Sequence, residues 1–504
     1  MAVCTIDRME THIGHWIGGQ PVTGSSERTS PVFNPATGER IALVNLASPA
    51  EVDTTVAAAT AAAAKWRRSS LSRRCAVLFA FRELVQSHRD ELARIVTTEH
   101  GKVLADAAGE VARGIENIEF ATGVPQLLKG GYSEQVSTGV DVYSIRQALG
   151  VVAGVTPFNF PAMVPLWMCA NAIACGNAFI LKPSEKDPSA SLFLAELWRR
   201  AGLPDGVFAV IQGDKTAVDA LIDHPDVAAL SFVGSTPTAK YIYERATAAG
   251  KRVQALGGAK NHMVVLPDAD VDMAADAAIS AGYGAAGERC MAISVVVAVG
   301  TVADPLVDAI AARIPKLIVG DGTEPGTEMG PLITAEHRDR VAGYVESAVG
   351  DGARVVADGR EAPVPGNGFF LGATLIDEVR PEMAVYRDEI FGPVLSVVRC
   401  ATFDEAIELI NQNQFANGTA IFTRDGGAAR TFQSEVEVGM IGINVPIPVP
   451  VAYYSFGGWK ASLFGDSHMY GPEGVQFYTK GKVVTSRWPD PATSTIDLGF
   501  PQTR

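Results

Sequence analysis

The chain has 504 residues, 47% hydrophobic and 19% charged, with a net charge of −14 and six cysteines at no paired spacing. That length predicts two or three globular domains. The acidic balance excludes a polybasic nucleic-acid or membrane-surface role, which needs clustered Lys and Arg, and the cysteines suit a reducing compartment.

The first residues, "MAVCTIDRMETHIGHW", carry Asp7 and Glu10 and no long apolar core, so neither a secretory signal nor a basic transit peptide is expected. A helical segment follows. "SEQVSTGVDVYSIRQA" then alternates like an exposed hairpin, which is marginal alone and needs a partner, in this chain or in another subunit. From Leu149 the pattern becomes strictly alternating. "LGVVAGVTP" reads as a buried strand, "AMVPLWMCANAIAC" as an apolar helix opened by Pro161, and "NAFILKPS" as a strand. The charge-free stretch from Gln147 to Leu181 is long enough for a membrane span. Pro157, Pro161, Pro165, Asn159, Asn171 and Asn177 interrupt it, which favours a packed core. "SASLFLAELWRRAG", "KTAVDALIDH" and "TAKYIYERATAAG" read as helices between the strands "GVFAVIQG", "VAALSFVGS" and "RVQALGG". Such alternation predicts a doubly wound parallel sheet, with ligands beyond the carboxyl ends of its strands, where "TPFNF", "KPSE" and "GST" lie. A second α/β region follows, with "MAADAAISAGYGAAG" and "LVDAIAARI" as helices and "AISVVVAVG", "FGPVLSVV" and "TAIFT" as strands.

Gly282, Gly284 and Gly287 match the dinucleotide fingerprint, but they follow a helix and precede a strand, the reverse of what it requires. These glycines are expected instead to let backbone approach a ligand closely. Cys169 and Cys175 read as core thiols, and the eight histidines show no metal-ligand spacing, so no metal is expected. Cys290, in "YGAAGERCMAIS", follows small residues and a cation, Arg289, that would lower its thiol pKa if it faced inward. By itself it is equally a buried hydrophobe.

Seven blocks change that balance: "TPFNFP" (156–161), "LKPSE" (181–185), "FVGST" (232–236), "LGGAKNH" (256–262), "GERC" (287–290), "EIFGPV" (389–394) and "SFGGWK" (455–460). In this order and spacing the chain resembles the aldehyde dehydrogenase superfamily over nearly its whole length. "TPFNFPAMVPLWM", "GAKNHMVVLPDADVD", "ARGIENIEFA" and "GINVPIPVPVAYYSFGGWK" resemble its coenzyme A-acylating, methylmalonate-semialdehyde branch. The resemblance implies NAD as cofactor and coenzyme A as co-substrate. It implies Cys290 as the nucleophile that forms a thiohemiacetal and then a thioester, with the Asn159 amide and the Cys290 N–H as oxyanion donors. It implies cofactor contacts from Thr156, Phe158, Lys182, Glu185, Lys186, Ser235, Gly257, Glu389 and Phe391. A carboxylate at Glu185 favours NAD over NADP. Ala239 stands where many members have glycine. Arg113 and Arg289 match arginines that the branch uses on the substrate carboxylate; the plainer role of Arg113 is an ion pair with Glu110 or Glu116.

One departure separates two chemistries. Hydrolytic members carry a glutamate immediately before "LGG", where it activates water against the thioester. Here that residue is Ala255. General-base help is worth roughly 10²–10⁴-fold, so water attack is expected to be slow and coenzyme A to be the acceptor. The family also implies an NAD-binding domain (1–130 and 149–257), a catalytic domain (258–470), and an oligomerisation element (131–148 and 471–504) in a homotetramer or homodimer. The acidic chain is expected in the cytoplasm.

Overall fold

The computed structural model describes residues 11–489 and 491–492. Asp7, Glu10 and residues 493–504 of the last expected element lie outside them.

Two sheets carry the molecule. In the first, five parallel strands lie in the order Arg252–Leu256, Val227–Val233, Val151–Val155, Ala178–Lys182, Phe208–Val210. Their runs of Val, Ile, Leu and Ala are apolar on both faces, because helices cover both. The helix Met163–Ala174 is buried at every position and sits against this sheet, so its apolar circumference is a core feature. Among the described residues no helix is long and apolar enough to cross a membrane. In the second sheet, Thr374–Asp377, Val394–Cys400, Ile293–Val299, Asn261–Val265, Gly418–Phe422 and Met440–Ile443 run parallel in that order, with Arg354–Ala357 antiparallel at one edge. The architecture is the α/β arrangement that the alternating pattern predicts.

The edges depart from it. The segment before the helices is not purely helical: His15–Ile17 and Gln20–Val22 form an antiparallel edge on the first sheet, and Leu463–Phe464 closes its other edge against Ala255 and Leu256. These strands have two or three residues, too few to show a period of two. The hairpin finds its partner within the chain. Val140–Ala148 pairs along its length with Thr479–Arg487 and, on the other side, with Tyr132–Ser137.

The register fixes the site. Val155 pairs with Lys182 and with Phe232, and Val233 pairs with Leu256. The loops beginning at Thr156, Pro183, Gly234 and Gly257 therefore emerge side by side from one sheet end. The last of them, Gly257–Lys260, runs straight into the first strand of the second sheet, Asn261–Val265. The segments that precede its neighbour Ile293–Val299 and the next strand, Val394–Cys400, ending at Cys290 and at Phe391, meet it there.

Candidate active site

The strand-end loops line two connected spaces. One, of about 500 Å³, is bounded by Thr156, Lys182, Glu185, Ser235 and Tyr241. The other, of about 840 Å³, extends it past Phe158 and Asn159 to Gly257, Cys290, Glu389 and Phe391. Together they bring eleven of the thirteen expected site residues into one cleft, including Lys186. Arg289 lines a smaller recess on the other side of Cys290, and Arg113 lies on the helix Leu104–Thr122.

One hydroxyl along the cleft is left without an internal partner. Thr156 is buried and its hydroxyl has none. Ser235 occupies the N-cap position of the helix Thr236–Ala248, yet its hydroxyl does not cap that helix; it meets Thr238 Oγ1 at 2.9 Å. The helix start thus keeps free N–H groups facing the cleft. Lys182 Nζ contacts Glu185 Oε2 at 3.3 Å, and Lys186 Nζ stands 5.0 Å above the Phe158 ring. Ala239 is fully buried under the helix. Phe158 meets Phe391 edge-on at 5.8 Å. Phe391 has φ 58°, a left-handed conformation unusual for an aromatic residue, and its carbonyl accepts from His337 Nε2 at 2.7 Å.

The approach to Cys290 is also strained. After the helix Val271–Tyr283 the chain tightens through Gly284–Gly287, where Ala285 and Ala286 have φ 50° and 53°. Gly287 continues the left-handed run at φ +73°, and a Cβ there would lie 2.2 Å from the Gly392 carbonyl oxygen. This corrects the expectation for the glycine cluster: Gly287 allows close approach of the chain's own 389–394 loop. Past it, the Cys290 carbonyl accepts from Asn261 Nδ2 at 3.0 Å and from Asn417 Nδ2 at 3.2 Å, which anchors the thiol-bearing residue to two neighbouring strands.

The electrostatics of the thiol also differ from expectation. Burial pushes Cys290 up to about 11, and Glu389 adds to this, while the N–H groups of Cys290 and Met291 and the Lys102 ammonium pull it down. Arg289 is not the activating cation. Its guanidinium turns to Asp106, with Nη2 2.7 Å from Oδ1. Arg113 is paired too, with Glu116 Oε2 at 2.8 Å. It still lies near Cys290, since the two both act on the phenol of Tyr470, which burial pushes up to about 12. Glu389 is raised to about 7 by burial, against the Ala259 N–H that donates to its Oε1 at 2.9 Å. Glu288, one residue before Arg289, is fully buried beside His100 and His337.

Sequence reading missed the groups that hold this centre. Lys102 is 1% exposed; its Nζ donates to the Asn159 carbonyl at 2.5 Å and to Glu110 Oε2 at 2.8 Å. Glu110 Oε1 accepts from the Ala162 and Met163 N–H groups at the start of the buried helix. A charged pair in an acidic chain carries no sequence mark of burial. The signal available was "EHGK" ahead of a helix whose buried face includes Glu110.

A family model for the aldehyde dehydrogenase family matches residues 22–484. The chain belongs to the aldehyde dehydrogenase family. It is 56% identical to a malonate-semialdehyde dehydrogenase of Pseudomonas aeruginosa, over 97% of this chain and 99% of that one. It is 50% identical to malonate-semialdehyde dehydrogenase 2 of Geobacillus kaustophilus, over 94% and 98%. Among solved structures, a methylmalonate-semialdehyde dehydrogenase from Oceanimonas doudoroffii superposes with a TM-score of 0.94 at 56% identity, over 96% of this chain and 99% of that one. A chain from Sinorhizobium meliloti 1021 assigned the same activity, solved with NAD, gives 0.95 at 51% identity, over 97% and 100%. Within aldehyde dehydrogenases, the likeness is thus to enzymes of short 3-oxo acids.

Proposed function

We propose that the protein oxidises malonate semialdehyde, or its methyl homologue, with NAD and passes the acyl group to coenzyme A through a thioester on Cys290. The fit of NAD rests on the unpartnered Thr156 hydroxyl, the uncapped helix start at Ser235 and the Lys182–Glu185 pair at one end of the cleft. NAD, when bound, would supply the hydride acceptor; Glu389 and Phe391 would hold its nicotinamide side, and Gly257 and Lys186 the stretch between the two ends.

Cys290 Sγ as thiolate bonds to the aldehyde carbon, and the carbonyl electron pair moves to oxygen. The Asn159 amide and the Cys290 N–H stabilise that alkoxide, each worth about 3–4 kcal/mol by comparison with other acyl-transfer sites. As the C=O bond re-forms, the carbon loses hydride and a thioester remains. Coenzyme A thiolate displaces Cys290, and the β-carboxylate departs as carbon dioxide, leaving an enolate that takes a proton. Acetyl-CoA or propionyl-CoA results. Arg113 and Arg289 receive the substrate carboxylate by exchanging or sharing it with Glu116 and Asp106. In its assembly the protein is a homodimer or homotetramer joined through the three-stranded sheet, whose Tyr132 and Val483, with Trp488 just beyond its last strand, are exposed, and it works in the cytoplasm.

The observation that carries coenzyme A over water is Ala255. It is fully buried in the apolar layer of the first sheet, next to Leu256, Gly257 and Gly258, and offers no carboxylate to activate water. A second reading is favoured by Glu389, a half-buried carboxylate that lines the same recess as Cys290 and acts on its thiol. If Glu389 activated water, the product would be a free acid. Purified enzyme assayed with NAD and each semialdehyde, with and without coenzyme A, separates the two. Turnover that needs coenzyme A, with acyl-CoA and carbon dioxide as products, supports acylation. Equal steady-state rates without it, with free acid by mass spectrometry, reject acylation.

A further inference from the structure

Beside the catalytic pair lies an ammonium that no expected role uses. Lys102 follows the helix Arg89–His100 and reaches into the interior. Its three donors are well spent: the Asn159 carbonyl, the Glu110 carboxylate, and the Phe160 ring, whose centroid is 4.4 Å away. Glu110 in turn holds the N–H groups of Ala162 and Met163. The turn from Asn159 to Met163 is therefore gripped at both ends by one buried ion pair. Such a pair is costly to build, because both ions leave water. Apolar packing would serve stability as well, so its presence beside Asn159 calls for a reason in the chemistry.

The second observation is what this charge faces. His100, Asp187, Glu288 and Cys290 all feel it, and on the thiol it acts in the direction that favours the charged form. Facing Cys290 from other elements are Glu389, which opposes it, and Tyr470.

We propose that Lys102 is a positioning residue of the reaction centre: it fixes the backbone of Asn159 and its charge favours the thiolate of Cys290. This rests on Cys290 being the nucleophile. Glutamine at 102 can still donate to the Asn159 carbonyl but carries no charge, so it separates the two duties. Arginine keeps the charge.

The test is the pH dependence of Cys290 alkylation by iodoacetamide, followed on the Cys290 peptide by mass spectrometry, for the wild type, Lys102→Gln and Lys102→Arg. In Lys102→Gln the profile should move up by about one unit, so that alkylation at a fixed pH below the midpoint slows about tenfold. Lys102→Arg should return it toward the wild type. In the same variants kcat should fall with the KM for NAD unchanged, since the cofactor loops are untouched. If Lys102→Gln is insoluble, Lys102→Met is read for the thiol profile alone, since methionine removes the donor as well as the charge. An unshifted profile in the uncharged variant overturns the proposal. Full turnover in Cys290→Ala would instead remove the reading beneath it, so the two failures are distinct.

Discussion

The two halves of the cleft are built differently. On the cofactor side, four loops leave adjacent parallel strands at matched register, and the chain needs only short turns to present Thr156, Lys182, Ser235 and Gly257. On the nucleophile side, Ala285, Ala286, Gly287 and Phe391 hold left-handed backbone, and side chains from distant segments fix it: Asn261, Asn417, His337 and, through Asn159, Lys102. Sheet register sets the first half, with the Gly257–Gly258 turn tied further, to Thr236 and Ser462. The second is over-determined by cross-links, as strained sites must be to persist. Substitutions should therefore be graded on the cofactor side and severe on the other.

The largest effect tests the severe half directly. Cys290→Ala should lower NADH production by about 10⁴-fold or more, since nothing else in the cleft can hold the acyl group. Retention of turnover would break the contrast at its root. Asn159→Ala should follow, with kcat down about 10²–10³-fold and little change in the KM for NAD. If KM rose and kcat held, Asn159 would belong to the cofactor side.

This contrast also marks how much was legible in the sequence. The alternation of apolar runs with amphipathic helices is a local property, so it revealed the first sheet, the strand-end loops and the hairpin, whose partner strand near 475–490 was also in view. The blocks around Cys290, Asn159 and Glu389 pointed, by resemblance, to residues that the fold brings into one cleft. What escaped was long-range. Nothing near Arg289 says that it turns to Asp106, 183 residues earlier in the chain, instead of the neighbouring thiol. Nothing in "GERC" says that Glu288 is fully buried. The edge strands at 15–22 and 463–464 were too short to carry a period. Charged groups buried by tertiary packing look, in sequence, like solvated ones.

A milder perturbation belongs to the graded half. Glu185 is partly exposed at the cleft end, held by Lys182 at 3.3 Å. Glu185→Gln removes the charge that would repel a 2′-phosphate. The ratio of kcat/KM for NAD to that for NADP should drop about tenfold with kcat for NAD little altered. A fall in kcat for NAD at saturation would show that this end of the cleft is as tightly coupled to the chemistry as the other.

The smallest effect is on stability, and it sharpens the point about cross-linking. Burial raises Glu288 to about 8 and Glu389 to about 7. For each, the folded state holds its proton more tightly than the unfolded chain does. Their contribution is fully present below the ordinary carboxylate range and is lost as pH rises through about 7 to 8. Burial depresses His100, and His337 to about 4, so these work in the opposite direction only below about 6.5, where the unfolded chain takes up their protons. Between pH 6.5 and 8.5 the raised carboxyls, Glu99 at about 7 among them, lower Tm as pH rises, and Lys260, which burial depresses to about 7, opposes them only above that value. Glutamine at 288 is neutral throughout and its amide oxygen can still accept from the Ile333 N–H, as Glu288 Oε1 does at 3.2 Å. In Glu288→Gln the Tm should therefore decline less steeply across that window, with the two proteins closest at pH 6.5. A parallel decline would mean that Glu288 is ionised in the folded state, held by Lys186, Lys102 and Arg340, and that the strained loop is clamped by charge and not by a neutral carboxyl.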